Sequence, residues 1–233
     1  VGLGVLSDDS GFLAIPRKPI NDQVIKVWVM TSQHQLVQSY DIVASQWRAK
    51  IEGLGYAAAY RWMVEICGIQ SEHVNVIDIG CGTGDFSRAL IEVAGPPNCL
   101  TLLDPAEQMV RTATRSLIHI APRLKPLVAK LEDKPQQRHD VILCAHVIEH
   151  FADLGAALSL LKSYLAPDGT LLLVVSKPHW CNWIIWTRWR HRWVRPTRML
   201  DLFAQAGLSC EWDASFPAGP PSRSSHAYLV KHL

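Results

Sequence analysis

The stretch Val76–Phe86, VIDIGCGTGDF, places Asp78, Gly80, Gly82 and Gly84 at every second position. A β-branched apolar run that breaks into glycines marks a buried strand turning sharply into a helix. Glycine removes the Cβ that would hold a ligand away from backbone N–H groups. The helix that follows presents its positive end, which suits a carboxylate or a phosphate. The spacing is D-x-G-x-G-x-G. A dinucleotide fingerprint, G-x-G-x-x-G, counted from Gly80 and Gly82 needs its third glycine at position 85, and the chain has Asp85 there. The loop alone is also compatible with a tight turn that holds no ligand.

A second group, His146, Glu149 and His150, has i, i+3, i+4 spacing. On a helix these three side chains share one face. Imidazole has an unperturbed pKa of about 6.5, so its neutral form is available to take a proton from a hydroxyl or an amine. His146 is therefore a candidate general base, against the alternative that it only shapes a pocket or bonds backbone. The same spacing could serve a divalent metal or a zinc-protease helix. The glycine loop upstream argues against a protease, and no metal site is expected.

Five of the nine tryptophans, Trp180, Trp183, Trp186, Trp189 and Trp193, fall in one basic stretch with no acid between Lys177 and Arg198. Their spacing of three and four puts them along one side of a helix. Three roles compete: core packing of a cap helix, a lid over an aromatic or hydrophobic substrate, and peripheral membrane contact through Trp180–Trp193. Stacking and phosphate pairing would suit nucleic acid as well. The net charge of only +2 argues against that partner.

The elements that must position these groups follow from periodicity. Helical spacing covers 36–50 and 53–68, with Tyr56, Tyr60, Met63, Val64 and Cys67 on one face of the second. Val74–Ile79 is the first strand. Phe86–Val93 is helical, Cys99–Leu103 is a second strand ending at Asp104, and Ala106–Ile118 is helical. Leu127–Leu131 is a weak third strand and Asp140–Ala145 a fourth. Asp153–Leu165 is an amphipathic helix, and a Pro167-Asp168-Gly169 turn precedes a fifth strand at Thr170–Val175. Pro196–Ala206 is a helix. Leu208–Ser215 and Ala227–Lys231 are strands joined by a Pro/Gly/Ser-rich loop, free to pair antiparallel at an edge. Alternating strands and helices over 74–207 predict an α/β fold: a doubly wound, mostly parallel seven-stranded sheet with an antiparallel last strand and helices on both faces.

Composition sets the outer limits. The 233 residues, 48% hydrophobic and 19% charged, suit one full-sized core rather than two domains or a disordered chain. The cysteines Cys67, Cys81, Cys99, Cys144, Cys181 and Cys210 are scattered without a C-x-x-C pair. They read as small apolar fillers in a reducing cytoplasm. No apolar run reaches the ~18–20 residues of a spanning helix, and the first residues lack a signal-peptide pattern. Residues 1–29, with Gly2, Gly4, Gly11, Pro16 and Pro19, are expected to be a loose extension. Met30 then begins the main domain, 30–233.

Taken together, these motifs resemble the class I S-adenosylmethionine-dependent methyltransferase family. Val76–Gly84 is similar to its first motif, with Asp78 near the methionine end and Gly80, Cys81, Gly82 and Gly84 in the loop. Leu100–Asp104 is similar to the second, which implies that Asp104 accepts hydrogen bonds from both ribose hydroxyls. Asp104-Pro105-Ala106-Glu107-Gln108-Met109 resembles D-P-S-x-x-M, with Pro105 and Met109 beside the adenosine. Asp140–Phe151 resembles the fourth motif, bringing Cys144, Ala145 and His146 to the cofactor, with His146 near the sulfonium. Leu165–Leu171 resembles the L-x-P-G-G-x-L turn, and His191–Leu208 the H-x-W…P-x-x-L…A-G-L segment. The third region departs: Lys130 stands where an acid is expected, leaving Leu131 or Glu132 to meet the adenine. Ubiquinone-pathway and small-RNA relatives carry E-x-x-E-H where this chain has His146 first. The resemblance covers about residues 36–231. It implies transfer of a methyl group from S-adenosylmethionine to O or N of a small, aromatic or hydrophobic acceptor. The rival functions are an RNA methyltransferase and a binding protein that holds the cofactor without methylating.

Overall fold

The strands bury both faces, and their side chains alternate between two cores. In β1 (Asn75–Ile79), Val76 faces one core while Ile77 and Ile79 face the other. In β4 (His139–Ala145), Val141 and Leu143 join the first core and Ile142 and Cys144 the second. In β5 (Leu165–Ser176), Leu172 and Val174 oppose Leu171, Leu173 and Val175 in the same way. A period of two with apolar residues on both sides is the pattern of a sheet covered by helices on each face.

These elements belong to a computed structural model that describes residues 52–133, 137–179 and 193–233. The remaining elements are α1 (Tyr56–Cys67), α2 (Asp85–Ala94), β2 (Cys99–Asp104), α3 (Glu107–Leu117), β3 (Leu124–Val128), a 3₁₀ turn (Ile148–His150), α4 (Leu154–Tyr164), α5 (Pro196–Gln205), β6 (Leu208–Ser215), α6 (Gly219–Ser224) and β7 (Ser225–His232). The sheet order is β3-β2-β1-β4-β5-β7-β6. β1 to β5 pair in parallel, and β7 runs antiparallel between β5 and β6. α1, α2 and α3 supply Met63, Leu90 and Ala113 to the first core. α4 and α5 supply Leu158 and Phe203 to the second. The strand order reverses between β1 and β4, so a ligand crevice is expected beyond their carboxyl ends.

The seven-stranded doubly wound sheet with one antiparallel strand is the architecture expected from the sequence. The third strand lies three residues earlier than the pattern suggested, at Leu124–Val128. Pro126 argues against a strand there, yet it pairs opposite Leu102. β3 is an edge strand, where a missing N–H is tolerated. The residues assigned to its end instead make a turn, in which Lys130 N–H donates to Asp133 Oδ2 at 2.8 Å. The loop between the last strands holds the short helix α6. The expected helix 36–50, the division at residue 29, Cys181 and Trp180–Trp189 lie outside the described residues. Trp193 is described and is 42% exposed. Among the described residues, no helix is long and apolar enough to cross a membrane.

Candidate active site

The carboxyl ends of β1, β2, β4 and β5 and the first residue of the antiparallel β7 meet at one edge of the sheet. Gly80 N–H and Cys81 N–H both donate to Leu103 O, at 2.7 and 3.1 Å, which pins the glycine loop to β2. Gly80, Gly82 and Gly84 have φ of 67°, 51° and 83°, a left-handed backbone that residues with a Cβ enter at a cost. Two of these glycines are also required by the protein's own packing. A Cβ on Gly80 would stand 2.2 Å from Val147 Cγ2, and one on Gly84 would stand 2.9 Å from Leu117 Cδ1.

Gly82 N–H donates to Asp104 Oδ2 at 3.0 Å, and Ala106 N–H donates to Asp104 Oδ1 at 2.9 Å. This buried carboxylate therefore ties the loop to the head of α3. Pro105 is half-buried and Met109 is buried at the start of that helix. Asp78 is buried beneath the loop. Its Oδ2 accepts from Ser87 N–H at 3.2 Å and from Ser87 Oγ at 2.6 Å, in the first turn of α2. Burial pushes its carboxyl up to about 7, while the two Ser87 bonds pull the other way. Asp85, the residue that breaks the dinucleotide pattern, is buried and accepts from Thr83 Oγ1.

The other sequence-predicted positions separate into two groups. Ala145 is half-buried at the end of β4. The Cys144 side chain is enclosed in the core on the α4 side, and burial pushes its thiol well up. Cys81 is buried in the opposite core, and its thiol is likewise raised. Leu131 is buried, its carbonyl accepting from Tyr164 Oη at 3.3 Å, whereas Glu132 is exposed.

His146 follows β4 in a left-handed conformation, φ 59°, and its N–H donates to Val174 O at 2.9 Å. The helical face expected from its spacing with Glu149 does not form as such. The turn is 3₁₀ and spans only Ile148–His150, with His146 ahead of it. The left-handed residue nevertheless brings His146 Nδ1 to 3.1 Å from Glu149 Oε1. Glu149 is buried and its Oε1 also accepts from Ser176 N–H at 2.7 Å. Ser176 Oγ lies 3.1 Å from Nδ1. On the other ring edge, Ser225 Oγ lies 3.4 Å from Nε2, and Tyr56 packs edge-on with ring centroids 5.4 Å apart. Tyr60 stacks on Phe86 at 4.5 Å, floored against the start of α2. Burial lowers His150. No group of three or more His, Cys, Asp or Glu among the described residues is disposed to hold a metal ion.

Tyr56, Ser176 and Ser225 are the site residues that motif reasoning missed. Tyr56 carried only the signal of a helix's apolar face, and the two serines are ordinary strand-end residues.

The residues fit S-adenosylmethionine by the chemistry of their donors and acceptors. A cradle of left-handed glycines sits at the switch in strand order, and a carboxylate at the end of β2 faces it. Residues 46–214 match the family described as "Methyltransferase domain". The ubiquinone biosynthesis O-methyltransferase of Rhodopseudomonas palustris (strain TIE-1) is 28% identical over 142 residues, which cover 57% of this chain and 53% of that protein. A ubiquinone/menaquinone biosynthesis C-methyltransferase of Ectopseudomonas mendocina (strain ymp) is 25% identical over 173 residues, covering 72% and 64%. The chain spans about half the length of the first of these relatives. Among solved structures, the Burkholderia thailandensis 1,6-didemethyltoxoflavin-N1-methyltransferase, with its substrate and S-adenosylhomocysteine bound, superposes with a TM-score of 0.67 at 13% identity, covering 95% and 93%. That likeness is one of fold. The family match extends over more than half of the chain and contains the glycine loop, Asp104 and His146. The chain belongs to the class I S-adenosylmethionine-dependent methyltransferase family, and S-adenosylmethionine is its cofactor.

Proposed function

We propose that this chain methylates an oxygen or nitrogen of a small aromatic or hydrophobic acceptor, with His146 taking the acceptor's proton. The observation that carries this is the Glu149–His146 contact at the end of β4, beside the glycine loop. An acceptor O–H or N–H is a poor nucleophile until its proton leaves, so an oriented imidazole is the group such a reaction needs. When bound, S-adenosylmethionine supplies an electrophilic methyl group. The Gly80–Gly84 loop and Asp104 would hold it, with Asp78 beneath the loop, Pro105 and Met109 on the adenosine side, and Cys81, Leu131, Glu132, Cys144 and Ala145 completing the set. Cys144 would contribute main chain, because its side chain is in the core. The ubiquinone-pathway relative that methylates oxygen supports an oxygen acceptor.

The test pairs binding with turnover. Calorimetry should show binding of S-adenosylhomocysteine and not of NAD. A panel of catechols, hydroquinones and aromatic amines, assayed with radiolabelled methyl donor, should include methylated products. Replacing His146 with Asn should lower kcat by about 100-fold or more while leaving cofactor binding intact. Binding of NAD alone, or transfer to RNA and to no small acceptor, would overturn the proposal.

A further inference from the structure

We infer that Glu149 is a positioning residue that fixes the tautomer of His146, while Tyr56 and Ser225 brace the opposite edge of the imidazole. This rests on the proton-acceptor role proposed for His146.

One oxygen of Glu149 has a role that does not depend on the histidine. Glu149 Oε1 accepts Ser176 N–H at 2.7 Å, and a backbone N–H can only donate. Oε1 is therefore held as an acceptor by the end of β5. The Glu149 side chain is fully buried. His146 Nδ1, at 3.1 Å from the same oxygen, makes a favourable contact only by donating. The proton thus sits on Nδ1, and Nε2 carries the lone pair that a base requires. An acceptor that holds one ring nitrogen's proton leaves the other nitrogen with the lone pair.

The Nε2 edge faces a chain of hydroxyls. Ser225 Oγ is 3.4 Å from Nε2 and 2.8 Å from Tyr56 Oη. Tyr56 Oη is 3.1 Å from Ser224 Oγ, which donates to Pro220 O at 2.9 Å. These contacts brace the Nε2 edge of the ring from α1 and β7. A brace is what the backbone calls for, because φ of 59° at a residue with a Cβ persists only where several neighbours fix it. Four elements do so here: α1 through Tyr56, the 3₁₀ turn through Glu149, β5 through Ser176 and β7 through Ser225.

The experiment is long-range ¹H–¹⁵N correlation on histidine-labelled protein, which reads the tautomer directly, together with steady-state kinetics. Wild-type His146 should be the Nδ1–H tautomer. Glu149→Ala should move it toward Nε2–H and lower kcat at least about tenfold, with KM for S-adenosylmethionine within about twofold. Glu149→Gln, whose amide oxygen can still accept both donors, should restore part of the tautomer and part of the rate. Tyr56→Phe and Ser225→Ala should broaden the His146 signals and lower kcat by about two- to tenfold. An Nε2–H tautomer in the wild type would overturn the inference, and so would a tautomer indifferent to Glu149. If Glu149→Ala fails to fold, the wild-type spectrum and Glu149→Gln decide the matter. An unchanged kcat in His146→Asn would instead remove the base, whatever the tautomer.

Discussion

Gly80 and Val147 are in contact: a Cβ on Gly80 would stand 2.2 Å from Val147 Cγ2. The loop after β1 and the loop after β4 therefore press on each other, and the residue at the contact is the neighbour of His146. The glycine loop and the residue next to the proposed base are thus in direct contact, and a disturbance of the loop is expected to reach His146.

Gly80→Ala should therefore cost more than a glycine replacement in an open turn. It combines left-handed strain with a clash against the partly buried, branched side chain of Val147. Calorimetry with S-adenosylhomocysteine should show binding weakened by at least about tenfold, the equivalent of about 1.4 kcal/mol. Adding Val147→Ala should recover part of that loss, because it relieves the clash and leaves the strain. Equal binding by Gly80→Ala and wild type would refute the coupling of the two loops.

The local parts of this arrangement were legible in the sequence, and the distant parts were not. A β-branched run ending in Gly80 declares a strand and a tight turn within ten residues, and the acid ending β2 is found by the same periodicity. Spacing also paired His146 with Glu149, although through a left-handed residue and a 3₁₀ turn instead of a helix face. The tyrosine–serine pair was beyond such reasoning. Tyr56 and Ser225 are 169 residues apart, and only the insertion of β7 between β5 and β6 brings them together. The third strand falls three residues earlier than its weak apolar run suggested, and it takes in Pro126, which pairing at the sheet edge tolerates. The glycines held a further lesson. Their spacing suggested room for a ligand, and the structure adds that Gly80 and Gly84 make room for Val147 and Leu117.

Asp104 has a structural task that is separable from any contact with a ribose. Its two oxygens each accept a backbone N–H, one from Gly82 and one from Ala106. Hydrogen bonds to a charged acceptor are worth about 1.5–3 kcal/mol each. Asp104→Asn keeps the shape and turns one oxygen into a donor that opposes an N–H. S-adenosylhomocysteine affinity should fall by about 10- to 100-fold. Hydrogen exchange at Gly82 and Ala106 should quicken even without ligand. Loss of affinity with unchanged exchange would assign Asp104 to ligand contact alone and dismiss its role in holding the loop.

Asp78 gives the fold a pH dependence of unusual sign. Its carboxyl ordinarily titrates at 3.8, and burial pushes it up to about 7. Between those values the folded protein keeps a proton that the unfolded chain has released. The contribution of Asp78 to stability therefore falls as pH rises from 3.8 to about 7, and is level above that. His139 and His150 oppose it. Burial lowers both, so the unfolded chain takes up protons that the folded state refuses, and their contributions grow as pH rises toward 6.5. The wild-type profile mixes the two trends, and Asp78→Asn separates them. The amide retains a carbonyl oxygen for Ser87 and removes the titration. Thermal melts from about pH 5 to pH 8 should show the wild type losing ground to Asp78→Asn as pH rises. A difference in Tm that stays constant across this range would mean that Asp78 is already ionised in the folded protein, with the Ser87 bonds outweighing its burial.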